Sequence, residues 1–77
     1  MISDKEALEL LLRDKRKDLM AYMVQEWLLQ REHANPQKMG KMQAEEMLGT
    51  YQTAVKNIEL QINSIIEYAK TIGLTLD

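Results

Sequence analysis

The chain of 77 residues contains no cysteine, no phenylalanine, a single proline and three glycines. Each shortage removes a class of structure. Without cysteine there are no disulfides and no thiolate metal sites. A domain this short builds a core worth only about 3–5 kcal/mol and is commonly reinforced by cross-links, metal or a second subunit, which leaves oligomerisation as the reinforcement to expect. With so little glycine and proline, the chain has few places to turn. Leu, Met, Glu, Lys, Gln and Ala dominate instead, the vocabulary of long helices, and no strand is needed to place any residue before the last few. Neither sign of charge prevails: 10 basic against 12 acidic residues give a net −2, which supplies neither a field for holding nucleic acid nor a polyacidic mimic of it. Long apolar runs are missing as well. The longest, Leu19 to Val24, falls far short of the ~20 residues that cross a bilayer. The opening Met-Ile-Ser-Asp-Lys-Glu does not read as a basic region followed by an apolar one. We therefore expect no membrane partner and a cytoplasmic location.

What the chain does have is an unbroken apolar stripe in its second half. Ala44, Leu48, Tyr51, Val55, Ile58, Ile62, Ile65, Ala69 and Ile72 recur alternately four and three residues apart, a rhythm that keeps one side of a helix facing another helix. The first half carries its own start signal. Ser3 followed by Glu6 is a capping-box pattern, in which the hydroxyl accepts a backbone N–H and the carboxylate reaches back.

Helix 1 is expected over about 4–34, since nothing in that span is glycine or proline and the residue before Pro36 is pushed out of helical conformation. Asn35-Pro36 reads as stop and restart at once, with Asn35 an N-cap and Pro36 at a first helical position. Helix 2 is then expected over about 36–72, ended by a left-handed Gly73, with the last three residues frayed. So short a joint makes the pair antiparallel: an all-α, long αα-hairpin forming a single domain over 1–77. The register brings Leu12 to Ile58, Leu8 to Ile62, Leu19 to Tyr51 and Met23 to Met47, with Gly49 accommodating Met20.

Two helices cannot cover two faces each. Leu19, Tyr22 and Met23 should face helix 2, whereas Met20, Val24, Trp27 and Leu28 project elsewhere. The simplest cover is a second copy, giving a homodimeric four-helix bundle. In outline such an assembly is similar to small regulators built as dimeric helical hairpins, the RNA-binding Rop proteins among them, a likeness of shape that does not carry function with it.

Four features could carry chemistry. Arg13, Arg16 and Lys17, within the charged run 13–18, share one broad side of helix 1 and could contact phosphates of RNA or a nucleotide. The plainer reading, a solvated face with local Asp–Lys and Asp–Arg pairing, is preferred. His33, the only histidine, lacks the ligand spacing of a metal site and any neighbouring nucleophile, and suits a helix C-terminus at the surface. Met39, Met42 and Met47, with Met20 and Met23 opposite and Trp27 beside them, form either ordinary bundle core or an adaptable partner-binding end. Glu45 and Glu46 project about 100° apart and do not converge as an acid–base pair would. No phosphate loop or nucleophile motif is present, so neither catalysis nor a cofactor is expected. The expected function is a homo-oligomeric, regulatory interaction module that binds another protein through Met20, Val24, Trp27, Leu28, Met39 and Met42. Binding of RNA or a nucleotide through Arg13, Arg16 and Lys17 is the alternative.

Overall fold

The computed structural model describes residues 1–76. It consists of two helices, α1 (Asp4–Ala34) and α2 (Lys41–Thr71), joined by residues 35–40 and packed along each other as an antiparallel hairpin. At 1.5 Å per residue each helix is about 46 Å long, and the molecule is a rod of 49 × 20 × 17 Å.

The limits of α1 are those its sequence specifies. Ser3 caps it, its Oγ accepting from the Glu6 N–H at 3.2 Å. The return arm of the box differs: the Ser3 hydroxyl meets the Glu6 carboxylate itself at 3.3 Å, in place of a bond from that carboxylate to the Ser3 amide. At the other end Asn35, at φ −144° and ψ 80° ahead of Pro36, donates its N–H to the Arg31 carbonyl and closes the last turn. Helix α2 ends in a Schellman motif. Gly73 adopts φ +82°, the Gly73 N–H donates to the Lys70 carbonyl, and the Leu74 N–H donates to the Ala69 carbonyl at 2.8 Å, which satisfies carbonyls that would otherwise be orphaned.

Helix α2 does not start at Pro36. It begins five residues later, at Lys41, because the joint is organised by a side chain. One carboxylate oxygen of Glu32, in the last turns of α1, accepts the backbone N–H groups of Gln37, Lys38 and Met39 at 2.7, 2.6 and 3.0 Å. Those bonds curl the chain around the carboxylate. Gly40 then turns it into α2 at φ 82° and ψ 160°, a region that essentially only glycine occupies. No side chain caps the new helix.

The longer joint shifts the register by a fraction of a turn. Leu12 packs with both Ile58 and Ile62, and Tyr22 meets Tyr51, with ring centroids 5.5 Å apart. Leu19 packs against the Leu12–Ile58–Ile62 cluster. The stripe of α2 is the seam: Ala44, Val55, Ile58, Ile62 and Ala69 are buried, and Leu48, Tyr51 and Ile65 are half-buried. Ile72 lies outside it, exposed beside the glycine stop. From α1 only Leu12 and Leu29 are buried. The tail is not frayed through residue 76, since Leu76 folds back onto the same cluster. The sequence reading of the last three residues otherwise falls on Asp77, which lies outside the described residues. Gly49 sits in open space, with nothing within 4 Å of where a Cβ would be, so it makes no close approach to Met20.

No helix is long and apolar enough to cross a membrane among the described residues.

Candidate interaction surface

A two-helix rod has no interior beyond its seam, and the remaining apolar residues of α1 are displayed. Met20 is 69% exposed, Met23 53%, Val24 50%, Trp27 54% and Leu28 48%. Soluble monomers scatter single apolar residues over their surfaces; a contiguous group of large ones marks a contact surface. Helical spacing makes this group contiguous, because residues three and four apart stand one above the other.

The structure divides the six residues singled out from sequence. Met20, Val24 and Trp27 line one shallow groove of about 380 Å³ together with Arg16, Leu19 and Met23. Leu28 and Met39 line a second, of about 690 Å³, at the joint end, with Leu29, Met47, Glu32 and Lys38 among its other walls. Met42, 79% exposed, lines neither. Met23, which the sequence pattern turned toward α2, belongs to the outer groove. The reason is geometric: with Tyr22 taking the place against Tyr51, Met23 rotates outward by the 100° that separates neighbours on a helix.

Arg31 lies over the Trp27 ring, its guanidinium carbon 4.9 Å from the ring centroid. This i,i+4 cation–π contact holds the indole along α1 and covers one part of it. His33 is half-buried rather than freely exposed, and its Nε2 lies 3.8 Å from a carboxylate oxygen of Glu45 across the joint end.

The basic residues border different depressions. Arg16 borders the apolar groove, whereas Arg13 lines a small depression with Glu6, Glu9 and Leu10. Lys17 is exposed beside them. The local Asp–Lys and Asp–Arg pairing expected within the run 13–18 is not formed. Among the described residues the close contacts between basic and acidic side chains are His33–Glu45 and Lys70–Glu67, both away from that run. Exposed long side chains lose more in rotamer freedom than such pairs return, which leaves them solvated singly.

Glu32 is the residue that sequence reasoning missed. Its three backbone hydrogen bonds, the strongest from Lys38 and then Met39 and Gln37, hold its carboxyl below the usual carboxylate range, with the Lys38 charge adding a little. Each bond favours the ionised form, which alone can accept from all three amides without offering a proton of its own. No group of three or more His, Cys, Asp or Glu side chains is placed to hold a metal ion among the described residues.

No family model, curated protein or solved structure matches this chain.

Proposed function

We propose that the protein is a homo-oligomeric helical module that acts by binding another protein and performs no catalysis. One observation carries the reading: the outer side of α1 from Met20 to Leu28 presents five large apolar residues, each about half or more exposed, over a core of seven buried side chains among the described residues. Covering an apolar side chain of this size is worth about 1.5–3 kcal/mol, so the surface left open rivals the seam in what its burial contributes. Self-association covers Met20, Val24 and Trp27. Leu28 and Met39 in the groove at the joint, and Met42 beside it, are left for the partner protein, and methionine suits such a surface because its flexible, polarisable side chain adapts to varied shapes.

Sedimentation equilibrium at micromolar concentration tests the first half. A mass above that of the 9.0 kDa chain is expected, with Trp27 emission blue-shifted and poorly quenched by iodide; a clean monomer with solvated indole emission would refute it. For the second half, a tagged chain and its Leu28→Asp, Met39→Ser variant are purified from the native host. A protein retained by the first and lost by the second, with binding insensitive to salt, is the expected outcome.

The alternative, binding of RNA or a nucleotide, draws on Arg13, Arg16 and Lys17 standing without ion-pair partners. Phosphate contacts release counterions and weaken steeply with salt. If replacing the three by Gln leaves the fold intact and abolishes a salt-sensitive interaction, that reading replaces the first.

A further inference from the structure

We propose that two copies of this chain dimerise through the outer stripe of α1, the two α1 helices lying antiparallel across a two-fold axis that passes between Ala21 and Tyr22. This rests on the self-association proposed above and specifies its geometry.

The groove itself carries the argument. Its six lining residues, Arg16, Leu19, Met20, Met23, Val24 and Trp27, fall into three pairs equidistant from the midpoint between Ala21 and Tyr22: Met20 with Met23, Leu19 with Val24, and Arg16 with Trp27. A two-fold axis perpendicular to a helix sets each residue level with its equidistant counterpart on the second copy, and an isologous contact has to match a surface with itself. Here the match is chemical as well as positional. Met20 stands level with the partner's Met23, where two flexible thioethers fill the space around the axis. Leu19 stands level with the partner's Val24, apolar on apolar. Arg16 stands level with the partner's Trp27, so its aliphatic stem covers the indole while the guanidinium stays in water at the rim. A foreign helix makes no demand that a stripe read alike in both directions; a second copy does.

The spacing agrees. Arg16, Met20, Met23 and Trp27 recur at four, three and four residues, the average of about 3.5 that lets a helix keep one seam against another along its length. Arg13 and Gln30 continue the rhythm at either end, and both are exposed.

The surface area agrees too. The chain exposes 5988 Å², whereas a compact protein of 9.0 kDa exposes about 4,900 Å². The surplus of about 1,100 Å² is of the size each partner contributes to a specific interface, about 800 Å² or somewhat more.

The absence of native cysteine makes the geometry directly readable. Arg13→Cys and Gln30→Cys are introduced together and singly into the full chain, helicity is checked by circular dichroism, and the thiols are oxidised or bridged with a short bifunctional reagent. Within one helix the two positions are about 25 Å apart and cannot bridge. In the proposed dimer each stands level with the other across the interface, so the double variant should convert almost wholly to covalent dimer. Neither single variant should, since its two thiols lie about 25 Å apart. A sedimentation dimer in which Arg13→Cys alone cross-links, or in which the double variant does not, would overturn the antiparallel pairing and leave self-association standing through another surface. A sedimentation monomer would overturn both.

Discussion

Ile62→Ala tests the seam at its most informative point. Ile62 is 8% exposed and packs with Leu12, itself 3% exposed, and Ile58, with Leu19, Ile65, Ile66 and Leu76 around them. The substitution removes three carbons from contact with residues of both helices and the tail. At about 0.8 kcal/mol for each buried methylene, the transfer loss alone is about 2.4 kcal/mol. A residual cavity adds to it, but a single layer of two helices, open to solvent on both flanks, relaxes into the gap more readily than a deep core, so the added amount is small. We expect a loss of about 2–4 kcal/mol. A domain this short has a core worth only about 3–5 kcal/mol, so about two fifths or more of it disappears with one side chain. Urea unfolding followed by circular dichroism at a fixed protein concentration measures this as a lowered midpoint. With a slope of about 1 kcal/mol per molar, the midpoint should fall by about 2 M or more. A loss near 0.5 kcal/mol with the slope unchanged would refute the reasoning: it would mean that the stripe of α2 is not what holds the hairpin closed, and that its apolar residues are there for another molecule.

Gly40→Ala should destabilise by about 1–3 kcal/mol, because φ 82° with ψ 160° is closed to a residue with a Cβ although space is open around it; thermal unfolding reads this, and a neutral result would refute the assigned turn. Gly49→Ala should act oppositely, stabilising by about 0.5–1 kcal/mol, since the position is mid-helix and unobstructed; any loss would indicate a contact at that site in the assembled protein. For Glu32 the carboxyl is held below its ordinary value of 4.5 by backbone hydrogen bonds, so its contribution is fully present above that pH and is lost as pH falls through the lower folded value. Wild type and Glu32→Gln should therefore differ in stability at neutral pH and converge in acid; a difference that is constant from neutral pH to pH 3 would show that the charge is not what the three amides require.

How much of this was legible before the structure depends on how local the signal was. The ends of α1 rest on Ser3 and on the residue before Pro36, each acting on its immediate neighbours, and both stood where their chemistry put them. The seam of α2 was legible because it is a period, and a period survives errors in any single position. The start of α2 was not, because Asn35-Pro36 is a good local start signal that loses to a longer-range contact: a carboxylate reaching five to seven residues along the chain to collect backbone amides. Gly40 was the available hint, since a glycine in what would have been the first turns of a helix had no purpose there. The register and the outward turn of Met23 follow from that one misplaced joint. For the interaction surface, exposure of Met20, Val24, Trp27 and Leu28 followed from counting faces, whereas the separation of Leu28 and Met39 into a second groove depends on where the joint folds.

The Glu32 clasp also bears on how the hairpin comes together in time. Bringing two long helices side by side costs chain entropy that grows with the length of chain between the contacts, and here the buried residues nearest the joint, Leu29 and Ala44, are separated only by the last turn of α1, the joint and the first turn of α2. A loop already curled around a carboxylate presents those neighbours to each other before any distant pair has formed, and the remaining contacts can close outward like a zip toward Leu12 and Ile62. Folding from such a start is local in topology and correspondingly fast. Neutralising the clasp with acid should therefore slow the refolding arm of the kinetics more than it speeds unfolding, since the joint is made early and the far end late.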